Sequence, residues 1–568
     1  MENYKLGLNE SQLKAVECDK NKMLLIAGAG SGKSLTLVRK VEYLLFHRTD
    51  PQSIFCISFT RAAANELKKR LEKRVKSKAS LLNISTFHTF IIQFLKKHGN
   101  IKNTVFISNI EKSFLMDKLS KRYNLKKNLL ETELKKSIIS EKNSQLQYAI
   151  NDYIFELNRL SLLDIDMLLP LFFNKLNTDN EFLSKVRNEI GWIFYDEAQD
   201  MNEIQYKIIT KLISVDDVDK GLILIGDDDQ NIYKWNGTSN KHLITFKDDY
   251  NAEILILPEN YRSTKEIVQS ANNIISHGNN YFQKYLKAFR SGRNIEFLEF
   301  KNELEEMSRI AGICSSYIAS DKSISILCRT NREVNMLSSF FKSIKLEHRT
   351  STKVTLNEKI LSQLSLCINL NNDILVKKFI NYDKNLNLEA IETEKSISQI
   401  LIDDGNKEIS NYVKANEFQK YNSALASYDY IDNIFNFNDP LIRNAICSFE
   451  ENSSCNSLED FLIYLSTKSV QDDLLENKKN ISIMTIHASK GLEFDTVIFF
   501  NFTDRNFNKK LNEIDENRCL VYVAITRAKD NLIITYPLTQ LINTFGPKKV
   551  CNVKISEFKN DLIQRKIN

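Results

Sequence analysis

The sequence predicts an α/β protein built on two parallel sheets, each interrupted by a mainly helical insertion. Three observations predict it. Residues Met23 to Ser34 read MLLIAGAGSGKS: an apolar run, a glycine-rich turn, then the start of a helix. Short apolar runs of strand length recur between helical patterns, in two groups, which is the pattern of parallel βα units. Two long stretches, 99–185 and 341–478, carry helical patterning and no glycine motif.

The first run is the strongest signal. Ala27, Gly28, Ala29, Gly30, Ser31, Gly32, Lys33 and Ser34 follow an apolar strand and open a helix, the context a phosphate-binding P-loop requires. Glycines let backbone N–H groups close around phosphate oxygens. Lys33 can reach the β- and γ-phosphates of ATP, and the Ser34 hydroxyl can ligate Mg²⁺. Ala27 stands where the strict pattern has its first glycine.

Composition bounds the rest. A chain of 568 residues exceeds what one core organises, so three or four structural units are expected. Glycine (15) and proline (6) are scarce, which favours long helices over extended linkers. A net charge of +6 permits a nucleic-acid partner on a local groove, not on a uniformly basic surface. The nine cysteines are scattered without a CxxC pair, against a zinc module or a disulfide framework. A reducing cytoplasm is the expected setting, with no apolar leader and no stretch able to span a bilayer.

The remaining motifs sit where strands end. Gln12, in LNESQ, carries an amide able both to accept from and to donate to an adenine edge; such a residue alone is more often a surface glutamine. The run Ile54 to Ser58 leads to Phe59, at the carboxyl end where open parallel sheets place ligands, and Thr60 can cap the next helix. Thr86 and His88 are polar residues among the aromatics of ISTFHTF, a weak signal. Trp192 to Tyr195 ends in DEAQD; acids so placed are costly without a task. Asp196 suits Mg²⁺ binding, and Glu197 suits polarisation of the attacking water. Leu222 to Ile225 precedes GDDDQNIYKW, in which Gln230 can sense a γ-phosphate while Tyr233 and Trp235 suit base stacking. The bland alternative for both aromatics is packing beneath the loop.

After Ile254 to Leu257 comes PENYRS. Tyr261 offers an adenine platform and Arg262 a cation for the phosphoryl-transfer transition state. The second sheet draws on 295–300, 324–327, 481–484, 496–500 and 532–535. TIHASKGLEF and YVAITRAK flank the fourth of these runs; Glu493 can accept from a ribose hydroxyl and Arg527 can reach a phosphate.

Taken together, these nine segments from Gln12 to Arg527 resemble the superfamily 1A DNA helicases of the UvrD/Rep/PcrA type, in family order. The resemblance implies two RecA-like P-loop domains with ATP and Mg²⁺ between them. Its boundaries would be 1A over 1–98 and 186–256, 1B over 99–185, 2A over 257–340 and 479–568, and 2B over 341–478. It implies that Arg262 and Arg527 act as arginine fingers beside Lys33, Glu197 and Gln230. Gln12 and Tyr261 would hold adenine, and Glu493 the ribose. Single-stranded DNA would pass Phe59, Thr86, His88, Tyr233, Trp235, Thr485 and His487, with translocation 3′ to 5′. The 2B stretch is reduced, no nuclease-like tail follows the last motif, and Asn236 stands where the family often has arginine. These departures keep a second expectation open: a DNA-stimulated ATPase serving as a sensor or regulatory subunit, with a protein partner, as in bacterial antiphage defence.

Overall fold

A computed structural model of the chain describes residues 3–99, 105–135, 144–234, 237–278, 281–318, 321–350, 356–381, 396–452, 456–467, 480–510, 513–542 and 549–564. Trp235 and Asn236 lie outside the described residues. The chain forms two compact units, one over 1–90, 184–353 and 469–568, the other over 91–183 and 354–468. No described helix is long and apolar enough to cross a membrane.

The first unit holds two all-parallel six-stranded sheets, the cores of two RecA-like lobes. The first sheet contains β1 (Lys22–Ala27), β2 (Ile54–Ser58), β3 (Asn83–Thr86), β4 (Trp192–Tyr195), β5 (Gly221–Gly226) and β6 (Glu253–Leu257). Their spatial order is β3-β2-β4-β5-β1-β6. β1 therefore lies between β5 and β6, with Leu24 opposite both Leu224 and Ile254. Leu37, Val41 and Leu44 of the helix Lys33–Phe46 bury one face of the sheet against Leu25 and Ile223. Each such leucine removed from water contributes roughly 1.5–3 kcal/mol.

The second sheet contains β7 (Glu296–Phe300), β8 (Ile324–Cys328), β9 (Arg349–Thr350), β10 (Ile481–Thr485), β11 (Phe494–Phe499) and β12 (Ala528–Pro537), in the order β7-β12-β11-β8-β10-β9. Both faces are covered, so all five residues of β8 are buried, Ser325 among four apolar ones. Leu327 joins a core with the helices Lys265–Ser276 and Ile514–Ile525, while Ile324 and Ile326 join Leu337 and Phe341 on the other face. The first of these cores also takes in Ala29 and Ile232 of the first lobe.

Among its described residues, the other unit is helical apart from a short pairing of 105–106 with 162–163. It combines both motif-free stretches in a single hydrophobic core. Met116, Ile150 and Tyr153 share that core with Leu364, Tyr412 and Phe461. Polar links join the stretches as well: Arg159 Nη1 lies 2.6 Å from Asp373 Oδ2, and Asn369 Nδ2 donates to Leu160 O at 2.7 Å. Asn372 donates to the buried Glu111, whose carboxyl is pushed upward by burial. The sequence treats the two stretches as separate insertions; their apolar stripes are spent on each other.

Candidate active site

Four motifs of the first lobe leave the carboxyl edge of its sheet, whereas Gln12 lies on the helix Glu10–Glu17 ahead of β1. The P-loop follows β1, Phe59 follows β2, DEAQD follows β4 and GDDDQ follows β5. This edge is where open α/β sheets bind ligands. Ala27 is the last residue of β1, paired with Leu257, so the departure from glycine falls inside the strand and not in the turn. The turn itself needs glycine at two later positions. Gly30 (φ +67°) and Gly32 (φ +84°) are left-handed. A Cβ on Gly30 would lie 2.7 Å from Arg262 Cβ, and one on Gly32 would lie 2.5 Å from Gln12 Nε2.

The second lobe contributes from the amino ends of β11 and β12. Phe494 N donates to Arg527 O at 2.9 Å, which sets Glu493 and Arg527 side by side. Together the lobes enclose a cavity of about 360 Å³ lined by Lys33, Ser34, Asp196, Glu197, Gln230, Tyr261, Arg262, Glu493 and Arg527. That volume lies within the range typical of ligand pockets, roughly 300–1,000 Å³.

Charge inside the cavity is balanced across the lobes. Lys33 Nζ lies 3.7 Å from Glu197 Oε1. Burial opposes the charged form of Glu197, yet Lys33 and Lys490 outweigh it and hold this carboxyl below its usual range. Asp196 goes the other way, raised by burial and by the adjacent Glu197 charge. Glu197 adopts φ +55°, a left-handed conformation uncommon for a residue with a side chain. Gln199 donates to the Glu197 carboxylate and accepts from Asp227 N at 3.0 Å. Arg527, 2% exposed, donates from Nη2 to Gln230 Oε1 at 3.1 Å, and burial pulls its pKa down to about 9. Arg262 Nε donates to Glu493 Oε2 at 2.7 Å, and Lys529 Nζ lies 2.9 Å from Glu493 Oε1.

The base-side candidates are organised by protein contacts. Gln12 is buried, not at the surface: its Nε2 donates to Ser31 O at 3.0 Å and its Oε1 accepts from Asn9 N at 3.1 Å. One N–H and one oxygen lone pair of that amide are left for an adenine edge. Tyr261 is half exposed and stacks on Phe289, with centroids 5.1 Å apart and rings within 13°.

The DNA-side candidates cluster in part. Phe59 stacks on Tyr233 at 5.2 Å, and Tyr233 lies 5.8 Å from the His487 ring, its hydroxyl donating to His487 O at 3.2 Å. Burial pushes the His487 imidazole down to about 4, which leaves it neutral. Tyr233 thus packs against Phe59, which is 38% exposed and also lines the nucleotide cavity. Thr86 is buried, its hydroxyl shared with Thr89 at 3.0 Å, at the start of the helix that carries His88. Thr485 ends β10, and its hydroxyl accepts from Ala488 N at 3.2 Å.

The sequence reading gave no role to several residues that join the lobes. Lys490 donates to Asp200 and, at 2.7 Å, to Gln230 O. Asn260 Nδ2 donates to Ala29 O at 2.6 Å. The Tyr522 hydroxyl accepts from Ala29 N at 3.5 Å and donates to Asp227 Oδ2 at 3.2 Å. All three lie inside quoted motifs, so position in a motif was a usable signal for them.

The donor set fits a triphosphate with a hard cation. Ser31 Oγ is buried in the P-loop with no hydrogen-bond partner, and Ser34 and Asp196 offer the oxygen ligands that Mg²⁺ prefers.

Comparison with known proteins agrees with this geometry. The UvrD/REP helicase N-terminal domain matches residues 8–141 and 116–251, and the UvrD-like helicase C-terminal domain matches 255–403 and 377–539. The chain is 28% identical to the ATP-dependent DNA helicase PcrA of Staphylococcus epidermidis, over 98% of this chain and 87% of that protein. It is 27% identical to PcrA of Staphylococcus aureus, over 94% and 84% respectively. The motifs, the two parallel sheets and these matches agree: the chain belongs to the UvrD/Rep/PcrA family of superfamily 1 helicases.

Proposed function

We propose that this chain is an ATP-dependent DNA helicase that moves 3′ to 5′ on single-stranded DNA by closing its two RecA-like lobes on ATP. The observation that carries the reading is the Arg527–Gln230 hydrogen bond. It joins a cation of one lobe to the γ-phosphate-sensing amide of the other, inside the P-loop cavity. Lys33 and the P-loop amides hold the phosphates, and Glu197, kept ionised by Lys33 and Lys490, polarises the attacking water. Mg²⁺ held by Ser34 and Asp196 neutralises phosphate charge when bound. Arg262 and Arg527 stabilise charge that develops as the phosphoryl group departs. Gln12 and Tyr261 hold adenine and Glu493 the ribose. Loss of the γ-phosphate then removes one set of contacts between the lobes, which favours reopening of the cleft.

The motor core in this reading is 1A (1–98, 186–256) and 2A (257–340, 479–568), with 1B (99–185) and 2B (341–478) as insertions. The tracking strand passes Phe59, Thr86, His88, Tyr233, Thr485 and His487, with Trp235 completing the path. Phe59→Ala removes the partly exposed ring offered for stacking. Since stacking contributes roughly 1–3 kcal/mol per base, single-strand affinity is expected to fall about ten- to a hundredfold. Fluorescence anisotropy with a labelled oligonucleotide measures it; unchanged affinity in a folded variant removes Phe59 from the path.

The deciding experiment compares ATPase with strand separation by the purified chain on 3′-tailed, 5′-tailed and blunt duplexes. Unwinding of the 3′-tailed duplex alone is expected. ATPase stimulated by DNA without unwinding of any of the three would replace this reading with a sensor or regulatory ATPase. Unwinding from a 5′ tail would overturn the direction.

A further inference from the structure

Lys284 belongs to none of the motifs. It follows the helix Lys265–Ser276 of the second lobe, two residues before Leu286. Asn272 clamps that residue, accepting from Leu286 N at 2.8 Å and donating to Leu286 O at 2.9 Å. The Lys284 side chain is fully buried, and its Nζ lies 2.6 Å from Asp227 Oδ1, from Asp228 Oδ1 and from Asp229 Oδ2. Those aspartates come from the first lobe, in the turn after β5. Three carboxylates buried in one turn are costly without a counter-charge, and the ammonium that meets all three comes from across the cleft. Burial opposes the charge on Lys284, but the three aspartates outweigh it and hold the ammonium charged.

Asp227 has further partners that lead into the active site. Its Oδ2 accepts from Gln230 Nε2 at 2.6 Å and from the Tyr522 hydroxyl at 3.2 Å. Its backbone N–H is held by Gln199, which also donates to Glu197. An amide has two ends. With Nε2 fixed on Asp227, Oε1 of Gln230 is left facing Arg527, as observed at 3.1 Å. Release of Asp227 would free the amide to turn.

We propose that Lys284 is a positioning residue for ATP turnover: it reaches from the second lobe to fix Asp227, which holds one N–H of the Gln230 amide so that its oxygen stays on Arg527 and its second N–H is left to donate to the γ-phosphate when the lobes are together. The proposal rests on the reading of Gln230 as the γ-phosphate sensor. It makes part of that sensor a property of the second lobe, in a lysine outside the lining of the nucleotide cavity.

The test compares binding of ADP and of a non-hydrolysable imido analogue of ATP to the full chain, together with steady-state kinetics. Lys284→Met is expected to weaken the triphosphate analogue tenfold or more while changing ADP affinity less than twofold. Its kcat should fall tenfold or more with a smaller change in KM. In a Gln230→Ala background, Lys284→Met should cost less than a further twofold in kcat, because the group it positions is gone. A second variant, Lys284→Met/Asp228→Asn/Asp229→Asn, removes two of the three uncompensated charges that could unfold the first and leaves Asp227 to its bonds from Gln230 and Tyr522. It should show the same selective loss with a near-normal melting temperature. Equal loss for both nucleotides, or a full further loss in the Gln230→Ala background, overturns the proposal. Gln230→Ala that keeps its preference for the triphosphate refutes the sensor reading itself. Lys284 variants that keep the preference while Gln230→Ala loses it refute only the inference about Lys284.

Discussion

Glu197→Gln is expected to bind ATP and to turn it over at least about a hundredfold more slowly, the range for removal of a general base. The substitution keeps shape and can still accept from Gln199, so the link to Asp227 survives. It loses the negative charge that faces Lys33 at 3.7 Å and that would draw a proton from water. Nucleotide affinity should hold or rise, since a carboxylate facing phosphate is repulsive. Lys33→Ala differs in kind: the cation is lost and both binding and turnover fall. Single-turnover hydrolysis set beside equilibrium nucleotide binding separates the two. A folded Glu197→Gln protein that hydrolyses ATP at the normal rate would falsify the assignment of the base.

Arg527→Ala is expected to lower kcat by about a thousandfold or more, the scale of an arginine finger, with much of the ADP affinity intact. Arg262→Ala should act in the same direction. The contacts explain the asymmetry between kcat and affinity. Arg527 enters from the second lobe and meets Gln230, so its contribution depends on the closed arrangement. Its Nε also donates to Val523 O at 3.0 Å, a carbonyl that the Thr526 hydroxyl also reaches at 3.1 Å, so truncation costs one contact and leaves a void in the core. The melting temperature must therefore be measured beside kcat. A thousandfold loss with a drop of a few degrees supports the finger, whereas full DNA-stimulated turnover in Arg527→Ala rules out a site built from both lobes.

Most strands were legible in the sequence because they are buried on both faces. Expected runs such as Ile54–Ser58 and Trp192–Tyr195 coincide with β2 and β4, since a strand covered on both sides admits little besides apolar residues. β3 was not legible. Asn83–Thr86 is an edge strand with only its last two residues buried, so its pattern carries a polar end. The cavity was legible as well, because phosphate chemistry restricts residue types locally: glycine where φ is positive, lysine and serine at a helix start, acids at a strand end.

Partnership was not legible. The sequence marked Tyr233 as an aromatic in a polar loop, while the fold decides that it lies against Phe59 and beside His487. The two motif-free stretches showed apolar stripes, but a stripe states that a face is buried, not against what. Their common core is a tertiary result. Lys284 is the clearest case, one lysine among many in the chain. The sequence by itself determined the class of the fold and which residues gather at the P-loop cavity, because both follow from short-range constraints on backbone conformation and strand burial. Only the tertiary structure brought in Lys490 and Lys284, the second-lobe lysines that meet Gln230 O and Asp227. A buried ammonium is stable only where distant carboxylates converge on it, and that convergence is a property of how the sheets pack.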